Sequence, residues 1–104
     1  AMAVDDMATR AAEAAGFLKA LSHEGRLMIL CHLSAGEKSV TALEDLLGAR
    51  QAAVSQHLAR LRNEGMVTAR RDGKVIYYAI KDPKVGAMMA LVYKMFCGAE
   101  TSAD

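Results

Sequence analysis

Apolar positions recur with the period of an α-helix in the middle of the chain. Val54, Leu58 and Leu61 stand at i, i+4 and i+7, which places them on one face of a helix over residues 50–63. The opposite face holds polar residues and small side chains. This pattern predicts a helix that packs on a core along one side and presents a hydrogen-bonding surface on the other.

The period changes from helical to extended directly after this helix. Residues 66–71 and 74–80 have the composition of strands, and Asp72-Gly73 lies between them. This dipeptide is strongly typical of a two-residue hairpin loop. The sequence therefore predicts a β-hairpin whose tip follows the polar helix.

Four more helices are predicted by apolar periodicity and by capping residues. The first covers residues 5–20. The second begins after Ser22 as N-cap and ends near Ser34, before Gly36; the third covers residues 40–47, between Ser39 as N-cap and Gly48 as stop; the last covers residues 83–97 and ends at Gly98, with a frayed tail over residues 99–104. The predicted fold class is mainly α with a small β-hairpin, a winged helix-turn-helix with about five helices in a single domain over residues 1–104.

Composition agrees with one small folded domain. The chain has 104 residues, of which 53% are hydrophobic and 24% charged. No cationic start precedes an apolar run, and no stretch approaches the roughly 20 apolar residues that span a bilayer. We therefore expect a cytoplasmic protein with no membrane segment, in a compartment that keeps thiols reduced.

Charge is distributed unevenly along the chain. Residues 50–81 carry seven basic and two acidic side chains, whereas the rest carries six basic and ten acidic ones. A basic segment of this kind is typical of a surface that binds a polyanion. A chance run on a solvated face is the alternative.

The basic segment supplies candidate contacts to double-stranded DNA. A helix that enters the major groove needs small residues beside hydrogen-bonding ones, and glutamine pairs well with adenine. The helix candidates are Gln51, Ala52, Ser55, Gln56, His57, Arg60 and Arg62. The hairpin tip adds Arg70, Arg71 and Lys74, which are suited to phosphates or a minor groove. A packed ring at His57 and a merely solubilising hairpin tip remain open as alternatives.

Three spaced motifs resemble the ArsR family of bacterial repressors. They are AVSQHLARLR at residues 53–62, GMV at residues 65–67 and ALSHEGRLMIL at residues 20–30. The resemblance covers nearly the whole chain. It implies a homodimer formed by the first and last helices, an operator with an imperfect inverted repeat, and release of DNA when an inducer arrives.

The last predicted helix supports a dimer independently of the resemblance, because it is apolar nearly all round. One broad stripe contains Val85, Met88, Met89, Val92, Met95 and Phe96. The opposite side contains Ala87, Ala90 and Leu91, and the only charges are Lys84 and Lys94. A helix with this pattern must be covered on two sides, by its own core and by another chain.

The metal sites of ArsR relatives are not retained. Where one group of relatives has cysteines in the third helix, residues 39–41 read Ser-Val-Thr. At the last-helix site Asp82 remains, but the other ligand positions hold Lys84, Met95 and Gly98. The three histidines, His23, His32 and His57, are scattered. A zinc ion needs about four N, S or O donors, so we predict no metal and no resident cofactor.

Two cysteines remain as candidate sensors, Cys31 in the second helix and Cys97 in the last. Cys31 follows Leu27 by four residues on one helix face, which predicts a small buried side chain, and for either cysteine alone packing is the better explanation. Lys94, three residues before Cys97, favours its thiolate, whereas the helix C-terminus opposes it. As a pair without metal motifs they resemble the persulfide-responsive ArsR repressors of the BigR and SqrR type.

That resemblance implies a redox switch. A low-molecular-weight persulfide or polysulfide transfers sulfane sulfur to one thiolate, and the second cysteine then attacks to leave an intramolecular sulfur bridge. The bridged dimer releases its operator. A repressor that senses As(III), another metal or general oxidants through the same thiols is the nearest alternative. Haem ligation and a constitutive architectural DNA binder with inert cysteines are further ones, and an enzyme is disfavoured because the chain has no nucleophile–base pair or phosphate loop.

Overall fold

The described part of the chain folds into five helices and three short strands. A computed structural model describes residues 2–102, with side chains described for residues 2–98. In chain order the elements are α1 (Val4–Leu21), α2 (Glu24–Leu33), β1 (Lys38–Ser39), α3 (Val40–Leu47), α4 (Gln51–Asn63), β2 (Val67–Asp72), β3 (Val75–Ile80) and α5 (Pro83–Ser102). The predicted order of helix, turn, helix and hairpin is confirmed.

A core of aliphatic side chains joins the helices to the sheet. Val54, Leu58 and Leu61 of α4 are at most 1% exposed, as their spacing predicts. They meet Ile29 and Leu30 of α2 in the same cluster. Burying a side chain of this size stabilises the fold by about 1.5–3 kcal/mol, so this stripe fixes the rotation of α4 about its axis and decides which of its residues face solvent.

Capping explains why α3 begins and ends as predicted. The Ser39 hydroxyl accepts a hydrogen bond of 3.1 Å from the Ala42 N–H, which satisfies a donor that the first turn leaves open. Gly48 has φ 61° and ψ 31°, a left-handed conformation that glycine adopts without steric cost. The chain can therefore turn sharply and start α4 only three residues later.

The predicted N-cap of α2 was wrong by one residue. Ser22 belongs to the end of α1, where its hydroxyl donates to the Lys19 carbonyl at 2.9 Å. The cap is His23, whose extended backbone lets Nδ1 accept from the Gly25 N–H at 3.0 Å. An imidazole nitrogen thus takes the capping role that a serine hydroxyl usually has.

The sheet has one strand more than predicted. Its order is β1-β3-β2, with both pairs antiparallel. In the hairpin Asp72 pairs with Val75, so the loop is Gly73-Lys74 and the predicted Asp72-Gly73 loop was wrong by one residue. Gly73 supplies the positive φ of 64° that the tight turn requires. The two-residue β1 is too short to show any period in the sequence.

The last helix is longer than predicted. α5 continues through Gly98 to Ser102, so the predicted stop and most of the predicted frayed tail were wrong; residues 103 and 104 lie outside the described residues. Glycine costs about 1 kcal/mol inside a helix, which a long helix tolerates. No helix in the described part of the chain has the length and hydropathy to cross a membrane.

We expect Asp82→Ala to lower the free energy of unfolding by about 0.5–2 kcal/mol, the usual effect of losing an N-cap. The Asp82 carboxylate accepts a hydrogen bond of 2.9 Å from the Lys84 N–H at the start of α5. This bond holds the pKa of Asp82 below its usual range. Urea denaturation measures the effect. Asp82→Asn, which keeps a capping acceptor, should lose much less; equal losses would contradict the capping role.

Candidate DNA interface and thiol groove

The solvent-facing side of α4 presents the side chains that the sequence singled out. Gln51, Ala52, Ser55, Gln56 and Arg62 are exposed, and Arg60 is half-buried. Arg60 Nε lies 3.2 Å from Glu64 Oε2, one helical turn away. The face therefore offers small residues next to amide and hydroxyl groups, with cations towards the C-terminal end of the helix.

Arg70 at the hairpin has an intramolecular partner that sequence reasoning missed. Its Nε and Nη2 donate to the two carboxylate oxygens of Glu37 at 2.8 and 2.7 Å. The guanidinium also lies 4.5 Å from the centroid of the Tyr77 ring. The hydrogen bond from Arg70 lowers the pKa of Glu37, so the pair is charged at neutral pH. Arg71 and Lys74 complete an exposed cationic wing.

The His57 ring packs against a neighbouring side chain and is therefore less available to contact DNA. Its centroid lies 4.5 Å from that of His23, with the two planes tilted by 48°. A Cβ on Gly25 would come within 2.8 Å of His57 Nε2, so a larger residue there would force the His57 ring to shift. Burial, and then the charges of His23 and Arg26, lower the pKa of His57 from its ordinary value of 6.5.

This shift predicts a pH dependence of stability. A base whose pKa is lower in the folded state binds fewer protons there than in the unfolded chain, so folding loses stability as pH falls. The loss begins near the ordinary value of 6.5 and is complete below the folded value. Thermal unfolding from pH 7.5 to 5.5 measures it, and His57→Gln should flatten the profile. An unchanged slope in that variant would assign the effect to other groups.

The two cysteines lie on elements that pack against each other. Cys31 is exposed on α2, whereas Cys97 on α5 is partly buried. Cys31 lines a groove of about 790 Å³. One face of α5, which includes Ala90 and Tyr93, also lines this groove, and Cys97 follows Tyr93 by four residues on the same face. The interpretation of Cys31 as a buried hydrophobe was wrong, because its side chain faces solvent.

Metal ligands do not converge among the described side chains. Within residues 2–98 no group of three or more His, Cys, Asp or Glu side chains is placed to hold a metal ion.

Large apolar side chains are exposed on α1 and α5. Leu18 on α1 is 53% exposed, whereas on α5 Met95 is 62% and Phe96 80% exposed. The predicted apolar stripe of α5 therefore has two parts. Val85 and Met89 are buried in the core, whereas Met95 and Phe96 further along the helix are exposed. Large apolar side chains exposed on two helices in this way are typical of an interface.

The fold is a winged helix-turn-helix in which α4, the second helix of the motif, has a polar face and the wing is cationic. This combination defines a DNA-binding transcriptional regulator, not an enzyme. The profile of the bacterial regulatory proteins of the arsR family matches residues 23–69. The chain belongs to this family.

Similarity extends over almost the whole chain. The chain is 42% identical to the biofilm growth-associated repressor of Xylella fastidiosa (strain 9a5c), over 98% of this chain and 90% of that protein. It is 39% identical to the transcriptional activator HlyU of Vibrio cholerae, over 94% of this chain and 91% of HlyU. The crystal structure of the repressor BigR from Xylella fastidiosa superposes with a TM-score of 0.88 at 43% identity, covering 92% of this chain and 98% of BigR. The predicted ArsR membership is confirmed.

Proposed function

We propose that this protein is a dithiol-switched transcriptional repressor. It binds an inverted-repeat operator as a homodimer while Cys31 and Cys97 are reduced, and releases it when persulfide-derived sulfur bridges them. The observation that carries the proposal is the position of Cys31, exposed in a groove that is also lined by the α5 face that continues to Cys97. A small donor can reach Cys31 from solvent, and a bridge would tie α2 to α5.

The apolar surfaces of α1 and α5 support the dimer. Leu18, Leu91, Met95 and Phe96 are about half exposed or more in the single chain. A second copy would cover them, and a two-fold axis would place two α4 helices on the same side of the dimer. Half-sites about one helical turn apart, roughly 34–36 Å, match such a pair of reading helices.

The bridging chemistry needs no oxidant other than the sulfur donor. The Cys31 thiolate attacks the outer sulfur of a persulfide R–S–SH; the donor S–S bond breaks and RS⁻ leaves with the electron pair. Cys97 is converted in the same way. The Cys31 persulfide anion then displaces hydrosulfide, HS⁻, from Cys97, which leaves a bridge with one sulfur more than a disulfide. Such a bridge spans a gap that a disulfide, limited to Cα separations of about 7 Å, does not.

The fold suggests how a bridge would reach the DNA. α2 packs against both α5 and α4. Tying α2 to a helix of the dimer interface would rotate the two α4 helices of the dimer relative to each other. Their spacing would then no longer match that of the operator half-sites. A coupling free energy of about 1–3 kcal/mol, typical of allostery, suffices for release.

Intact-mass spectrometry of the reduced dimer after polysulfide treatment tests the proposal. We expect the mass of one or more sulfur atoms to be gained and two hydrogens to be lost, in parallel with loss of operator binding. Hydrogen peroxide and arsenite in separate samples distinguish a general oxidant or arsenic sensor. Unchanged mass and unchanged DNA binding with polysulfide would refute the persulfide switch.

We propose that DNA is contacted by the α4 face and the wing. The proposed contacts are Gln51, Ala52, Ser55, Gln56, His57, Arg60, Arg62, Arg70, Arg71 and Lys74. The exposure of most of these side chains and the basic charge of the segment support the assignment. His57 has the weakest support, since its ring packs on His23.

Glu37→Gln should tighten DNA binding roughly two- to fivefold. In the protein without DNA, Glu37 occupies the Arg70 fork that would otherwise bind a phosphate. Giving up an exposed ion pair costs about 0.2–1 kcal/mol, and the variant avoids that cost. Fluorescence anisotropy at several salt concentrations measures both the affinity and its salt slope.

Glu13→Gln is the matched control for this variant. Glu13 also forms an exposed pair, with Arg10 at 2.7 Å, but it lies on α1 away from the wing. The change in net charge is the same, so an effect of net charge alone would appear in both variants. Equal gains in affinity from both would show that Glu37 does not compete for Arg70.

A further inference from the structure

A narrow cleft lies between α4 and the wing. It is bounded by the start of α3, the first turns of α4, the hairpin loop and β3. Four polar side chains line it, all of them exposed, namely Thr41, Gln51, Ser55 and Lys74. Its volume of about 240 Å³ is below the roughly 300–1,000 Å³ of small-molecule sites, so the cleft suits one chemical group of a larger partner.

The side chains that line this cleft are suited to an anion. Among the lining residues, all of which the structure describes, Lys74 carries the only charge and no carboxylate is present. Unlike Arg70, Lys74 forms no ion pair with a described residue. The Thr41 hydroxyl and the Gln51 amide can donate hydrogen bonds beside this cation. Lysine together with neutral donors is a usual combination for contacts to DNA phosphates.

The helical period shows that this cleft and the base-reading surface use different faces of α4. Gln51, Ser55 and Leu58 stand at i, i+4 and i+7, so a single face of the helix lines the cleft. Gln56 follows Ser55 directly, which turns its side chain by about 100° around the helix axis. It is exposed and is not part of the lining. One face is therefore available for base edges while its neighbour faces the cleft.

The shape of B-DNA determines what lies between a helix in the major groove and a wing in the adjacent minor groove. These grooves are about 12 and 6 Å wide, and one sugar–phosphate strand separates them. We propose that this strand occupies the cleft, where Thr41, Gln51 and Lys74 hold one phosphate or two successive ones. The inference rests on the DNA contacts proposed above, and it adds Thr41 of α3 and the strand that these residues hold.

Methylphosphonate substitution in the DNA tests this arrangement, because it replaces a charged phosphate oxygen by a methyl group. An operator duplex selected from random sequences carries the substitution at one phosphate at a time, symmetrically in both half-sites. The wild type should lose affinity by about fivefold or more at the phosphate in the cleft. Thr41→Val and Lys74→Gln should each lose much less at that phosphate or its neighbour, since residues in contact are not additive.

Thr68→Val is the matched control for Thr41→Val. Thr68 is also an exposed threonine, but it lies on β2 and does not line the cleft. Thr41→Val should weaken binding to operator and scrambled duplexes alike, by about three- to tenfold. Its salt slope should not change, because a neutral hydroxyl displaces no counterion, whereas Lys74→Gln should reduce the magnitude of the slope by about one unit. Thr68→Val should behave like the wild type.

Two results would overturn the proposal. In one, Thr41→Val and Thr68→Val show the same losses at every methylphosphonate; in the other, Thr41 and Lys74 couple to phosphates on different strands. Neither result affects the thiol switch. If selection yields no preferred sequence, the operator-specific repressor is wrong, and a random duplex then decides about the cleft. On that duplex Thr41→Val should still bind more weakly than Thr68→Val, and equal binding would reject the cleft as well.

Discussion

Cys31→Ser and Cys97→Ser should each keep operator affinity within about twofold of the wild type, because neither cysteine is among the proposed DNA contacts and each substitution replaces a single side-chain atom. Both should lose the whole response to sulfur donors. In the wild type that response is a loss of affinity of about 5–150-fold, corresponding to a coupling of 1–3 kcal/mol. The effect is large because a bridge needs both sulfurs, so either substitution removes it completely.

Fluorescence anisotropy with a labelled operator fragment measures this difference. The salt concentration must be held constant, since phosphate contacts make affinity strongly salt-dependent. Ser34→Ala is a suitable control because Ser34 also lines the groove but has no thiol; it should respond like the wild type. A single-cysteine variant that still released DNA on polysulfide treatment would show that one persulfide suffices and that no bridge is required.

The set of compounds that release DNA from the wild-type protein indicates how far apart its two cysteines lie. If peroxide joins the thiols as readily as polysulfide does, their Cα atoms come within about 7 Å of each other and a direct disulfide forms. If only sulfur donors work, the gap needs an inserted sulfur. Arsenite binds best to three thiolates, whereas each chain has two cysteines, so we expect it to be the weakest of the three inducers.

Local sequence patterns were sufficient to predict the helix-turn-helix formed by α3 and α4. The stripe of Val54, Leu58 and Leu61 has a helical period, and it is buried as expected. Ser39 and Gly48 act on backbone groups within four residues of themselves, so their capping roles are visible in the sequence alone. These features place α4 and decide which of its side chains face solvent.

The contacts that spacing could not predict join residues that are distant in sequence. Glu37 and Arg70 are separated by 33 residues, and only the pairing of β1 with β3 brings them together. The strand β1 has two residues and no periodicity of its own. The groove beside Cys31 likewise requires α2, β3 and α5 to meet, so its lining was not predictable from spacing.

The cysteine environment shows a third kind of limit. Cys31 follows Leu27 by four residues, and this spacing suggested a buried side chain. Leu27 is indeed half-buried against the core, but Cys31 lies at the solvent side of the same helix and remains exposed. Helical spacing determines the direction in which a side chain points from the helix axis, whereas the burial of that side chain depends on which element packs against it. In this fold a groove, not a packed element, lies opposite Cys31.

Gln56→Ala should weaken operator binding by about 1–3 kcal/mol and leave binding to unrelated DNA nearly unchanged. Gln56 is exposed on the polar face of α4, where an amide can donate to and accept from one base edge. Arg71→Ala is the informative comparison, because an exposed wing cation binds phosphate. It should weaken both DNAs alike and reduce the magnitude of the salt slope by about one unit.

Titrations of both variants with operator and scrambled duplexes at several salt concentrations measure these effects together. The two substitutions affect different observables, since base contacts carry specificity whereas phosphate contacts carry salt dependence. Loss of specificity at Gln56 with an unchanged slope would locate sequence readout on α4. If Gln56→Ala instead weakened both duplexes equally, the α4 face would serve as a phosphate contact, and the reading helix would have to approach the groove in a different orientation from the one proposed.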